Sequence, residues 1–401
     1  MDSSYVLSTG AKRLEKVEPS CIRTVLDRAN AMRKQGLPVV AFTAGEPDFN
    51  TPTDIKEATI QAIRDNYTHY APNRGTIELR HVLQKYIEAE TGVRYNPDSE
   101  IMVTSSGAEA IHNAILGFVD EGDDVIVLSP AFMNYKNLVY MCGGNFIELP
   151  LDPAKNFQID VDAIEAVITD RTKMLVINNP CNPTGAVYSY ESLKAVCELA
   201  IRHNFLILSD EMYSRLVYDG AKFHSIASFP GMRDHAIIIS GFSKAFAMTG
   251  WRLGYLVADE SLLKSCYWPH QYCTTCSPTF IQVGLANGMD TENTKRQVNE
   301  MVEAFSRRRK LIMAGLSDIS ELSYSEPHGA FYILVNVSKL GMTGAEFAEK
   351  LLVEKYVATV PAIGLGSGCR DYIRISYATS DEEITEGIRR IKVLVSELKA
   401  H

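Results

Sequence analysis

The stretch Ala236-Ile-Ile-Ile-Ser-Gly-Phe-Ser-Lys-Ala-Phe-Ala-Met-Thr-Gly-Trp-Arg-Leu-Gly254 carries the strongest architectural signal in this chain. Its first five residues are an apolar, β-branched run that reads as a strand buried on both faces of a parallel sheet. Lys244 therefore sits just past a strand end, and in open α/β sheets ligands bind outside the carboxyl ends of strands. Arg252 follows eight residues later, beyond a Gly250 that lets the backbone turn sharply, so both cations can converge on one anionic ligand. Taken singly, loop lysines and arginines are usually solvated, and the rest of the chain has to decide between the two readings.

Working outward, Ile101–Thr104, Val125–Leu128, Phe146–Leu149, Lys173–Asn178, Phe205–Ser209 and Gly254–Ala258 have the same strand character, and helical patterns separate most of them. The alternation predicts a doubly wound α/β domain with a mostly parallel seven-stranded sheet. From Val298 the pattern changes to a charged helix (303–316), a strand within Gly329–Val337, a helix over Gly344–Lys355, a strand at Tyr372–Tyr377 and a final helix over 381–398, which is a smaller α+β domain. The first forty or so residues offer one amphipathic helix from Cys21 and a short strand, Val39–Thr43, too little for a core of their own. The expected division is a large domain over 46–290 and a small one over 1–45 and 291–401, with the boundary in one long helix that the Gln282 to Gln297 region begins.

Two domains also suit a chain of 401 residues, which exceeds what one hydrophobic core supports. With 49 acidic against 40 basic side chains, the net charge of -9 argues against nucleic acid or an anionic membrane as partner. Residues 1–10 lack the charged-then-apolar pattern of a secretory signal and no stretch is long enough to span a membrane, so a cytoplasmic address is expected. The eight cysteines are scattered as in a reduced protein. Cys273-Thr-Thr-Cys276 has metal or redox spacing, but no second pair completes a site, so no metal is expected and the pair reads as structural.

Four further features fall at the expected carboxyl edge of the sheet. Ser105-Ser-Gly-Ala108 joins a strand to a helix start, where free N–H groups and the helix dipole suit a phosphate. Asn178-Asn-Pro-Cys-Asn-Pro-Thr-Gly185 fixes an irregular loop that leaves the Asn182 amide free to donate. Asp210, at the end of a buried apolar strand, needs a cationic partner to stay charged, which a protonated ring nitrogen would supply as well as an arginine, and Tyr213 follows it. Phe132 and Tyr135, past another strand end, can offer a stacking face, although a core position is the commoner fate of such a phenylalanine. Gly45, in the turn-rich Gly45-Glu-Pro-Asp-Phe49, and Tyr70, before a Pro/Asn/Gly loop, complete the candidates.

In this order the motifs resemble the class I/II family of fold-type I, pyridoxal-phosphate-dependent aminotransferases, and the resemblance runs from Gly45-Glu-Pro-Asp-Phe49 to Tyr372-Ile-Arg-Ile-Ser-Tyr-Ala-Thr-Ser380. It implies pyridoxal 5'-phosphate as cofactor, with Lys244 as its covalent attachment and the base that moves the substrate proton. It further implies Asp210 against the pyridine nitrogen, Asn182 and Tyr213 on the ring oxygen, and Phe132 stacked on the ring. The phosphate falls to Ser106, Gly107, Ala108, Ser243 and Arg252, joined by Tyr70 from a second subunit, so a homodimer with shared active sites is expected. Arg374 takes the substrate α-carboxylate as a bidentate fork, with Gly45 and Asn182 beside it. Ser129–Pro130 and Asn182–Pro183 are the cis peptides that the family uses.

The implied reaction moves an amino group between an L-amino acid and a 2-oxo acid such as 2-oxoglutarate. Three departures bear on details. Gly241 stands where many relatives carry a phosphate-binding serine, leaving Ser240 or Ser243 to compensate. Phe132 replaces a tryptophan, and Ala108 a lysine, that aspartate-selective members use, which leaves an aspartate, aromatic or broad donor open. The alternatives are a carbon–sulfur β-lyase on the same scaffold and a non-catalytic regulator. A nicotinamide-binding fold is disfavoured because no Gly-x-Gly-x-x-Gly follows the first strand.

Overall fold

The computed structural model describes residues 10–399; the stretch read for a leader pattern lies, apart from Gly10, outside the described residues. The first strand, β1 (Val40–Ala41), is a two-residue element short of the predicted span. The large sheet follows: β2 (Ile101–Thr104), β3 (Asp124–Ser129), β4 (Asn145–Pro150), β5 (Thr172–Asn178), β6 (Leu206–Asp210), β7 (Ala236–Gly241) and β8 (Gly254–Val257). Their order is β2-β8-β7-β6-β5-β3-β4. The pairs from β7 to β4 are parallel, whereas β8 runs antiparallel to both of its neighbours.

Burial on both faces explains the unbroken apolar runs. Along β5, Leu175 and Ile177 join one core while Met174 and Val176 join the other; along β7, Ile238 faces the first and Ile237 and Ile239 the second. Helices cover both sides, as a parallel sheet requires.

The remaining strands are β9 (Ser323–Tyr324), β10 (Tyr332–Asn336), β11 (Val357–Ala358), β12 (Val360–Pro361) and β13 (Tyr372–Ser376). β12-β13-β10-β9 form an antiparallel sheet, and β1 pairs with β11, which ties the N-terminal segment to this smaller layer. Its core contains Phe305, Phe331, Ile333, Val335, Leu351, Ile373 and Ile375.

One predicted helix is two. Thr279–Gly288 and Glu292–Ser317 are separated at Met289-Asp-Thr291, where the Thr291 side chain accepts from Thr294 N and caps the second helix. The Thr294 hydroxyl turns back onto the Gly288 carbonyl at 2.7 Å, closing the end of the first.

The site depends on one close backbone approach. Gly254 lies between Gly241 on β7 and Thr104 on β2. A Cβ added at Gly254 would sit 2.6 Å from Gly107 N and 2.7 Å from Ser106 C. No L side chain fits there without moving the helix that starts at Gly107. Gly254→Ala is expected to destabilise the chain by about 1–3 kcal/mol, the usual range for overpacking, as measured by denaturant unfolding.

Candidate active site

Strand ends bring the chemistry together. β5 ends at Asn178, β6 at Asp210 and β7 at Gly241, and the register sets Asn178 opposite Asp210. The helical turn Phe242–Ala245 then presents Lys244, and β2 leads through Ser105 into the helix Gly107–Phe118. The smaller layer adds Tyr332 from β10 and Arg374 from β13. These groups enclose a cavity of about 250 Å³, which Gly45, Ser106, Gly107, Ala108, Phe132, Asn182, Asp210, Tyr213, Ser243, Lys244, Arg252 and Arg374 all line. Tyr70 alone among the expected residues stands outside it, 88% exposed.

Of the four charged side chains lining the cavity, the three that are not exposed have no oppositely charged side chain in hydrogen-bonded contact among the described residues. The Lys244 amine donates only to the Gly45 carbonyl. Burial depresses its pKa, and Arg252 and Arg374 add to the effect against the pull of Glu46 and Asp210, bringing it to about 8. Asp210 accepts from the Tyr135 hydroxyl at 2.7 Å and from Met212 N at 3.1 Å. Burial raises its pKa despite those two donors. Arg374 is 1% exposed, donates to Asn182 Oδ1 at 3.1 Å and to the Thr43 carbonyl at 3.0 Å, and lies 4.5 Å over the Tyr332 ring. Its Nε is buried with no acceptor.

Of the three other buried arginines, Arg308 is paired with Asp48 and Asp381 and Arg309 with Asp219 and Glu326, while Arg80 donates to the Gly75 and Pro97 carbonyls. A buried cation without such a partner is costly unless an anion arrives.

The opposite end of the cavity suits an anion of another kind. Ser106, held at φ 124°, caps the helix Gly107–Phe118, so the first N–H groups of that helix face the cavity beside Ser243 and Arg252. Arg252 is itself in the left-handed region at φ 54°. Of the two serines expected to compensate for Gly241, Ser240 turns away, donating to the Glu211 carbonyl at 3.2 Å, and Ser243 lines the cavity. Gly241 has a packing reason: a Cβ there would lie 3.0 Å from Gly254 Cα and 3.2 Å from Leu253 O.

Asn182 takes its place because its main-chain N–H donates to Asn178 Oδ1 at 2.7 Å, and Arg374 occupies its amide oxygen. That leaves its amide N–H₂ as the group available to the cavity. The Tyr213 and Tyr332 hydroxyls are 3.0 Å apart. The peptides Ser129–Pro130, Asn179–Pro180 and Asn182–Pro183 are cis, the second unforeseen.

Sequence reasoning missed Asn178, Tyr332, Met212, Ile111 and Ile22, all of which line the cavity. Tyr135, expected with Phe132 to offer a stacking face, instead turns its hydroxyl to Asp210. Cys273 and Cys276 are free thiols, and no cluster of three or more potential metal ligands occurs among the described residues.

The depressed Lys244 pKa can be read directly. Reductive methylation of the cofactor-free chain with formaldehyde is expected to modify Lys244 faster as pH rises toward about 8 and then level off, as the neutral amine becomes the main form. Exposed lysines should continue to gain reactivity to about pH 10, and peptide mass spectrometry separates the two profiles.

A sequence profile described as "Aminotransferase class I and II" matches residues 38–391. The chain is 38% identical to the aspartate aminotransferase of Pyrococcus abyssi over 96% of its own length and 98% of that protein's. It is also 38% identical to aromatic-amino-acid aminotransferase 2 of Thermococcus litoralis, with the same coverage. Among solved structures it superposes on the aspartate aminotransferase from Thermus thermophilus with maleate at a TM-score of 0.92 and 37% identity, covering 96% of this chain and 99% of that one. The chain belongs to the class I and II aminotransferase family and is a fold-type I aminotransferase.

Proposed function

We propose that this aminotransferase uses pyridoxal 5'-phosphate to move an amino group between an L-amino acid and a 2-oxo acid, with 2-oxoglutarate as an acceptor and an aspartate, aromatic or broad donor range. The observation that carries the reading is the set of buried charges lacking partners around one cavity: Lys244, Asp210 and Arg374. A flat, phosphorylated, basic heteroaromatic aldehyde fits those groups. Its phosphate suits the N–H groups at Ser106, Gly107 and Ala108 with Ser243 and Arg252, and its ring nitrogen suits Asp210. When bound, the cofactor supplies an electron sink that stabilises negative charge at the substrate Cα.

The residues of the chain do the rest. Asp210, already held by Tyr135, gains as a carboxylate once a protonated ring nitrogen replaces its missing countercharge. Asn182 and Tyr213 donate toward the ring oxygen, and Phe132 covers a ring face. Arg374 grips the substrate α-carboxylate, with Gly45 and Asn182 at its edge. Lys244 Nζ, its pKa lowered to about 8, is neutral far more often near neutral pH than an ordinary lysine, which fits it to take the proton from the substrate Cα and return it. Ile22, Ile111 and Met212 narrow the cavity and exclude water.

Lys244, Arg252 and Arg374 are the cationic side chains lining the cavity, and each has a part in this scheme. No further cation among them is left to meet the second carboxylate of aspartate or of 2-oxoglutarate, which weakens a dicarboxylate-only range. The names of the relatives include both aspartate and aromatic amino acids, which supports keeping the range open. Tyr70, exposed on its loop, would reach the phosphate of a second subunit in a homodimer that works in the cytoplasm. The large domain would span 46–290, since the helix break at 289–291 and the β1–β11 pairing both support dividing the chain there.

The cofactor-loaded protein, given an amino donor without acceptor, is expected to release one equivalent of 2-oxo acid and lose its cofactor absorbance. Pyruvate and ammonia with the absorbance restored would instead indicate β-elimination. Lys244→Ala should lower turnover by about three orders of magnitude or more. Arg374→Ala should lower kcat/KM by about 10²–10³, chiefly through KM, for every α-carboxylate donor tested. Unchanged kinetics in either variant would remove that residue from its role.

A further inference from the structure

The helix start that faces the cavity contains its own anion. Glu109 is the third residue of the helix Gly107–Phe118, and its N–H donates to the Ser106 hydroxyl at 3.4 Å. An acidic residue in a first turn is ordinary capping chemistry. Here, however, it sets negative charge beside the dipole and N–H groups that a ligand phosphate would use.

A histidine distant in sequence answers that charge. His270, on the helix Glu260–Cys273, is fully buried, with Nδ1 2.7 Å from Glu109 Oε1 and Nε2 2.6 Å from the Asn73 carbonyl. A main-chain carbonyl can only accept, so Nε2 carries a hydrogen. Glu109 also receives Asn113 Nδ2 at 2.9 Å and Ser105 N, so it is filled with donors and acts as a carboxylate. Burial raises the Glu109 pKa, and the contacts with His270, Asn113 and Ser105 outweigh it to leave a net lowering. The ring thus bridges the Glu109 carboxylate and the Asn73 carbonyl through its two nitrogens.

The same ring holds a neighbouring loop. Asn73 is fixed further by its amide to the Thr275 carbonyl at 2.7 Å, and the Thr279 hydroxyl holds the His69 carbonyl at 2.6 Å. Loop and helix start are thus joined through one buried ring.

We infer that His270 is a positioning residue for the phosphate end of the site, holding the Glu109 carboxylate by a hydrogen bond so that the start of the helix keeps its attraction for an anion, and clamping the Asn73 loop against it. This rests on the reading that the Ser106–Ala108 turn receives the cofactor phosphate. His270 touches neither cofactor nor substrate; it acts through Glu109.

The test uses cofactor-free full-length protein and three probes: pyridoxal 5'-phosphate, pyridoxal without phosphate, and inorganic phosphate. In His270→Gln, the affinities for pyridoxal 5'-phosphate and inorganic phosphate are expected to fall about tenfold, an effect in keeping with one uncompensated charge near the site, while pyridoxal binding is unchanged. Adding Glu109→Gln should restore most of the loss. Equal losses for pyridoxal and its phosphate, or no loss for either phosphate-bearing probe, would overturn the inference and leave His270 a packing residue. If His270→Gln does not fold, Glu109→Gln alone decides: phosphate binding is expected to hold or strengthen, and a weakening overturns the inference. A wild-type chain that fails to bind pyridoxal 5'-phosphate at all would sink the cofactor reading instead, which separates the two failures.

Discussion

Charge withdrawn from water has to be met by charge, and the arrangement of this protein turns on three side chains for which the chain itself does not provide it. Lys244, Asp210 and Arg374 are held at one cavity by elements that cannot relax toward one another. Asp210 ends a strand in the middle of a seven-stranded sheet, Lys244 follows the neighbouring strand, and Arg374 sits on an antiparallel strand of the other layer. Arg308 and Arg309 show the usual solution, ion pairs closed within the fold. Keeping three charges apart is an expense that stability alone does not justify. It matches a site organised to bind a ligand carrying both signs of charge.

Backbone contact makes the rest possible. Gly241 and Gly254 face each other across β7 and β8, and Gly254 in turn meets the peptide at Ser106–Gly107. Lys244 and Arg252 lie on the loop between those two glycines, so their spacing is fixed by a short return of chain. The antiparallel β8 is what closes that return, placing the helix start, the lysine and the arginine on one rim.

Much of this was legible in the sequence because the signals were chemical and local. The strands of the large sheet are long apolar runs, and eleven of the twelve expected residues beyond Lys244 are gathered at the cavity with it; the twelfth, Tyr70, is not. What could not be read were properties set by distant packing. Tyr135 resembles any core aromatic until Asp210 is known to lie 2.7 Å from its hydroxyl. Ser240 and Ser243 were equal candidates in sequence, and only the strand's alternation, which turns Ser240 toward the Glu211 carbonyl, separates them. The break at Met289–Thr291 was hidden because both flanks are helical and the cap is a threonine hydroxyl rather than a glycine or proline. The Glu109–His270 contact joins residues 161 apart, beyond any periodicity.

The helix Glu292–Ser317 has a further consequence. Its 26 residues extend about 39 Å, with Val298 in the core of the large sheet and Met301, Phe305, Ile312 and Leu316 in the core of the smaller layer. It acts as a spar across the seam, anchored at one end by the Thr291 cap. A swing of the smaller layer about that anchor would carry Arg374 with it and leave Lys244 and Asp210 fixed relative to each other on the large sheet. The distance from Arg374 to the other two charges is thereby adjustable in a way that the lysine–aspartate spacing is not.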